Sequence, residues 1–136
     1  MIVVFDTNVV VEAIFWPRST ARRALTGLAL RQFKTAVSQE ILDEYAAVTA
    51  EIRTRLFAQA QPSGALAWIA AKSVRVKPLP LRAKLSRDPD DNVFVAAAAA
   101  VQAAFLVTQD RDLLVLGKPF GIRIVTPAEL NRELRL

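Results

Sequence analysis

The apolar positions of this chain fall into short unbroken runs separated by stretches with helical spacing. Ile2-Val3-Val4-Phe5 is one such run, and it ends on Asp6. Phe105-Leu106-Val107-Thr108 repeats the design ahead of Asp110 and Asp112. Unbroken apolar runs of strand length predict strands covered on both faces, as in parallel α/β sheets. Further strands are predicted at Phe33 to Val37, Val74 to Lys77 and Ile122 to Val125. Between them lie a short helix from Asn8 to Phe15 stopped near Pro17, and a second that Ser19 can cap, running to Leu30. Ser38 caps a longer helix whose apolar stripe is Ile41, Tyr45, Val48, Ile52 and Leu56. Pro62 to Ser73 reads as another helix, with Leu66, Trp68 and Ile69 as its apolar residues. After a basic connector from Leu79 to Arg87, Asp88-Pro89-Asp90-Asp91 opens a helix through Ala104. Arg111 to Leu116 forms a turn or short helix, and Thr126-Pro127-Ala128-Glu129 is a capping box that opens the last helix. Strands alternating with helices predict a parallel α/β sandwich, organised as a single domain over residues 1–136.

Composition narrows the chemistry. The chain has no cysteine and no histidine. Disulfides, thiol catalysis and cysteine zinc sites are thereby excluded, and so are the commonest general base and the commonest transition-metal ligand. No run approaches the roughly 20 apolar residues of a membrane span, and the N-terminus lacks the basic start of a signal peptide. A cytoplasmic location with no membrane contact is the expectation. Hydrophobic residues make up 53% of the chain, enough to suggest that a partner covers some of them. Trp16, Trp68 and Phe57 are the candidate anchors, with ordinary core packing as the alternative for each.

The net charge is +5, from 18 basic and 13 acidic side chains. Seven of the acids, Asp6, Glu44, Asp88, Asp90, Asp91, Asp110 and Asp112, belong to a few segments that an α/β fold would bring to one sheet edge. The remaining surface is then strongly basic, which suits a polyanion such as nucleic acid. Asp91 lies only about 60° around its helix from the apolar Phe94 and so faces inward. Glu44 flanks the Ile41–Tyr45–Val48 stripe, whereas Asp43 points away. Each acid also has an ordinary explanation. Asp6 and Asp110 can cap the helices that follow them, Asp91 can reach back to an Asp88 cap, and Glu44 can be a solvated edge residue. Their convergence is what argues for a site. Two carboxylates about 4 Å apart repel by roughly 4 kcal/mol at an effective dielectric of 20, so clustered acids need a cation between them. Oxygen-only ligands favour Mg²⁺ or Mn²⁺, one ion or two, and metal-dependent phosphodiester cleavage requires no histidine.

Four blocks occur in order: Val4-Phe5-Asp6-Thr7-Asn8-Val9, Ser38-Gln39-Glu40-Ile41-Leu42-Asp43-Glu44, Asp88-Pro89-Asp90-Asp91-Asn92, and Val107-Thr108-Gln109-Asp110-Arg111-Asp112-Leu113-Leu114. Together they resemble the PIN-domain nucleases, in particular the VapC-type toxins of toxin–antitoxin pairs. The resemblance implies a three-layer α/β/α sandwich around a mainly parallel sheet of four to five strands. It places the family's metal-binding and catalytic acids on Asp6, Glu44, Asp91 and Asp110, with Asn8 and Thr108 in support. Asp112 is an additional acid, and Asp88 shapes the turn and cap. It also implies Mg²⁺- or Mn²⁺-dependent cleavage of RNA, inhibition by a cognate antitoxin, and homodimerisation. Arg22, Arg23 and Arg87 are candidate contacts to RNA phosphates. Two other classes remain open. One is a non-catalytic PIN-like binder of RNA or protein. The other is an aspartate-based phosphotransferase, disfavoured because Asn8 stands where a second aspartate is normally required.

Overall fold

A computed structural model describes residues 1–78 and 91–136, with the side chains of Asp91 and Asn92 outside that description. Five strands form one sheet: β1 (Ile2–Phe5), β2 (Lys34–Val37), β3 (Ser73–Arg75), β4 (Phe105–Val107) and β5 (Arg123–Val125). Their order across the sheet is β3-β2-β1-β4-β5, and every neighbouring pair is parallel. Helices α1 (Thr7–Phe15), α2 (Thr20–Ala29), α3 (Gln39–Leu56), α4 (Ser63–Ala71), α5 (Asp91–Val101), α6 (Arg111–Leu114) and α7 (Pro127–Leu134) complete the expected α/β/α sandwich. Five parallel strands meet the upper end of the predicted number.

The buried runs explain the central strands. Val3, Val4 and Phe5 of β1 and Leu106 and Val107 of β4 are almost wholly buried. Val9 and Val10 of α1, Ile41 and Tyr45 of α3 and Phe94 of α5 close over them in the same core. Chain order then fixes where a ligand can enter. The chain steps outward from β1 to β2 and β3, returns to β4 beside β1, and continues to β5. The reversal makes the carboxyl ends of β1 and β4 the switch point, where the connections diverge and leave a crevice. Pairing there continues one rung past the strands, with the Asp6 amide donating to the Val107 carbonyl at 2.9 Å and the Thr108 amide to Val125 at 2.9 Å.

The caps follow the sequence. Ser19, Ser38 and Thr126 each accept from a backbone amide in the first turn of α2, α3 and α7, and the capping box on α7 is complete. Several boundaries differ from expectation. The helix predicted through Ala104 ends at Val101, because Gln102 adopts a left-handed φ of 50°. The Gln102 and Ala103 amides fold back onto the Ala99 and Ala98 carbonyls, closing a Schellman turn. Helix α4 stops at Ala71, so that Ser73 can begin β3. The stripe on α3 fades along its length. Ile41 and Tyr45 are buried, but Leu56 is 61% exposed, because the last turns of α3 run beyond the core. The basic connector Leu79 to Arg87 lies outside the described residues.

One glycine is fixed by packing rather than by backbone conformation. A Cβ on Gly27 in α2 would stand 2.3 Å from Cε1 of Phe33, whose ring is buried against Phe5 at a centroid distance of 5.8 Å. Ala normally gains about 1 kcal/mol over Gly inside a helix, but overpacking costs about 1–3 kcal/mol. Gly27→Ala is therefore expected to leave stability unimproved or to lower it by up to about 2 kcal/mol, read as the urea midpoint. A clear gain in midpoint would show that the Phe33 ring yields freely.

Candidate active site

The site begins where β1 runs out. Asp6 leaves the strand in an extended conformation (φ −65°, ψ 154°) and caps α1, its Oδ1 accepting from the Thr7 amide at 2.7 Å. Its Oδ2 accepts from the Thr108 hydroxyl at 2.6 Å. Both oxygens are engaged, and the residue is only 5% exposed. Thr108, wholly buried beyond the end of β4, also accepts from the Asp110 amide at 2.9 Å. On the other flank, the Thr7 hydroxyl donates to Oε2 of Glu44, which reaches in from α3. One turn position along, the Tyr45 hydroxyl donates to the carbonyl of Phe5 and ties α3 to the end of β1. Thr7 thus links Asp6 to Glu44, and Thr108 links Asp6 to the backbone of Asp110.

Electrostatics record the crowding. The Asp6 carboxyl is pushed from 3.8 up to about 6, chiefly because burial penalises its charge. The hydrogen bonds from Thr108 and Thr7 pull it down, and the charges of Glu44 and Asp110 push it up. Burial, together with the charges of Asp6 and Glu44, also raises the Tyr45 hydroxyl well above its ordinary value, so it remains a donor. These carboxylates offer only oxygen donors, which fit a hard divalent cation in kind. Among the described residues no three acidic side chains close into a ready metal cage. Asp91, the acid expected to join them, opens α5, and its side chain is not among those described.

The rim carries the supporting residues. Asn8 accepts from the Gln109 amide at 3.3 Å, and the Gln109 side chain donates to Glu12 at 3.4 Å, linking α1 to the loop after β4. Asp110 caps α6, accepting from the Asp112 amide at 2.9 Å, and Asp112 is half-buried beside it. The capping explanations for Asp6 and Asp110 therefore hold alongside their convergence, since the same carboxylate does both. The arginines are a different matter. Arg22 donates to the Ala13 carbonyl at 2.8 Å, seven residues beyond Asp6 and roughly 10 Å along the axis of α1. Arg23 shares a recess with Pro17, Arg18 and Ser19 at that same end. Neither flanks the acids, so only RNA extending well past the site could meet them. Arg87 and Asp88 lie outside the described residues.

Three contributors were not singled out from the sequence: Thr7, Tyr45 as a hydroxyl donor, and Glu12. Thr7 had a signal, being the first helical residue after the buried acid. The Tyr45 bond spans 40 residues and the Gln109–Glu12 bond 97, and neither leaves a local trace.

A family model described as PIN domain matches residues 2–112, from the start of β1 through Asp112 in α6. The chain belongs to the PIN-domain family. The matched span includes the first three blocks and the fourth as far as Asp112, and hence Asp6, Glu44, Asp91 and Asp110. Members of this family are typically nucleases, so hydrolysis is the coarse activity class. Among solved structures, this PIN domain is similar in fold to a chain in the crystal structure of VapBC2 from Rickettsia felis bound to a DNA fragment from their promoter. That likeness has a TM-score of 0.66 and 19% identity, over 93% of this chain and 98% of the other. No curated protein matches the chain.

The raised Asp6 carboxyl makes stability depend on pH. Between about 4 and 6 the folded PIN domain holds a proton that the unfolded chain has released, so stability falls as pH rises through that window. A shift of about two units corresponds to about 3 kcal/mol once both states are ionised. Without divalent ions, Asp6→Asn is expected to flatten this slope and raise neutral-pH stability by up to about 3 kcal/mol, measured by urea unfolding at pH 4 and 7.5. A wild-type protein equally stable at both pH values, with no gain from Asp6→Asn, would refute the assigned titration.

Proposed function

We propose that the protein is a Mg²⁺- or Mn²⁺-dependent endoribonuclease, and that it serves as the toxin of a type II toxin–antitoxin pair. The observation that carries the reading is the buried Asp6 carboxylate, crowded by Glu44 and Asp110 at the sheet's switch point. An acid held this way is costly unless a cation joins it. The chain's basic balance, +5 overall, suits a polyanionic substrate.

In this reading Asp6, Asp91 and Asp110 hold one or two ions, and Glu44 completes the acidic set. A bound ion polarises a phosphoryl oxygen and makes a nearby water more acidic. Glu44 accepts a hydrogen bond from the attacking water and orients it in line with the scissile bond. The water oxygen bonds to phosphorus as its proton passes by way of Glu44 to solvent. The P–O3′ bond breaks, the departing oxygen takes up a proton from solvent as a 3′-hydroxyl, and the other fragment keeps a 5′-phosphate. Thr108 holds Asp6 and the Asp110 backbone in fixed relation, and Asn8 ties the Gln109 backbone to α1. Basic side chains beyond the rim meet flanking phosphates, Arg22 and Arg23 only at a distance.

The partners proposed are an RNA substrate, a cognate antitoxin and a second copy of the chain. Exposed apolar surface supports protein partners. Trp16 is 44% and Trp68 37% exposed, and Trp16 packs edge-on against Phe57 at 5.2 Å. Nearby, Ile14, Leu25, Ala65 and Trp68 help line an apolar groove of about 480 Å³ between α1, α2 and α4. Among the described residues no helix is long and apolar enough to cross a membrane, and a cytoplasmic site of action is part of the proposal.

The test is cleavage of single-stranded RNA by the purified chain with Mg²⁺, with Mn²⁺ and with chelator. Cleavage should vanish with chelator and fall at least about 100-fold in Asp6→Ala and Asp110→Asn, more than the loss usual for residues that only support metal ligands. Binding of RNA without cleavage would favour a non-catalytic PIN-like domain. A trapped aspartyl-phosphate would favour phosphotransfer.

A further inference from the structure

Thr7 occupies an unusual position between two of the acids. Its backbone amide donates to Oδ1 of Asp6 at 2.7 Å, and its hydroxyl donates to Oε2 of Glu44. The residue is itself buried, at 7% exposure, on the first turn of α1. Glu44 comes from the middle of the sequence, 37 residues away, on a helix whose own register leaves it only half-buried. Its charge and that of Asp6 repel each other. Such repulsion favours rotamers that turn the glutamate toward solvent, and the bond from the Thr7 hydroxyl opposes them.

We propose that Thr7 is a positioning residue for Glu44: its hydroxyl holds one oxygen of that carboxylate beside Asp6 and so helps set the direction from which Glu44 addresses the attacking water and the cation. The inference rests on Glu44 acting in cleavage, as proposed above. A hydroxyl carries one proton, and here it is given to Glu44, so the bond is lost if the hydroxyl is removed and kept if only the methyl is removed. The amide bond to Asp6 depends on the backbone alone and survives either change. Thr7 therefore separates the alignment of Glu44 from that of Asp6.

The experiment compares Thr7→Val, Thr7→Ser, Glu44→Gln and the Thr7→Val/Glu44→Gln double variant in the full chain. Cleavage of single-stranded RNA gives kcat and KM, and calorimetry gives Mn²⁺ affinity. Losing a partner that orients a ligating carboxylate typically costs about 10–100-fold in activity or metal affinity. Thr7→Val should lose that much in kcat or Mn²⁺ affinity, with KM for RNA changed less than about threefold. Thr7→Ser should recover most of the loss. The double variant should be no worse than Glu44→Gln, because the hydroxyl acts only through that carboxylate. Wild-type kcat and Mn²⁺ affinity in Thr7→Val, beside an impaired Glu44→Gln, would overturn the role of Thr7 and leave the nuclease reading intact. Losses that add in the double variant would do the same. Full activity in Glu44→Gln would overturn the role of Glu44 and the inference with it. If Thr7→Val fails to fold, Thr7→Ala and Thr7→Ser carry the same comparison.

Discussion

A carboxylate buried where β1 gives way to α1 is the constraint around which this structure is arranged. Asp6 is shielded from solvent, and two neighbouring acids push its proton affinity upward. Burying an ionised group without compensation is among the more expensive things a fold can do. The compensation here is local and incomplete. The Thr7 amide and the Thr108 hydroxyl each satisfy one oxygen, yet the carboxyl still sits at about 6. In the proposed reading, a cation supplies the compensation that these two hydrogen bonds leave incomplete.

The parallel sheet makes this arrangement possible. Because β1 and β4 are neighbours with the same direction, their carboxyl ends lie side by side, and the residues following each strand meet there. Asp6 and Asp110 are 104 positions apart, but Thr108 touches both of their segments. Tyr45 then pins α3 to the last carbonyl of β1, which brings the adjacent Glu44 within reach of Thr7. Positioning therefore passes from strand pairing to threonine hydroxyls and from them to the acids.

Much of this could be read from the chain itself, and the parts that could not share a cause. The apolar runs at Ile2–Phe5 and Phe105–Val107 announce buried strands, and Ser19, Ser38 and Thr126 announce helix starts through chemistry that acts within three residues. The proximity of Asp6, Glu44 and Asp110 was legible because strand ends and helix starts lie at one edge in a parallel α/β fold. What escaped was set by distance. The end of α5 depends on the left-handed Gln102, where an extrapolated apolar stripe would run on. The exposure of Leu56 depends on where the core stops, and the separation of Arg22 from the acids depends on its bond to Ala13. The bond from the Thr7 hydroxyl to Glu44 leaves no local trace for a similar reason, its partner being a residue on a different helix.

The central claim is that a divalent cation completes the charge balance around Asp6, and proton linkage tests it most directly. Metal binding to a partly protonated ligand releases protons. With the Asp6 carboxyl near 6, Mn²⁺ titrated into the protein at pH 6 should release about half a proton from that group, read calorimetrically in buffers of different ionisation enthalpy. At pH 8 this release should disappear, and in Asp6→Asn it should be absent at both pH values. Mn²⁺ binding that is undiminished in Asp6→Asn and releases no proton at pH 6 would contradict the account.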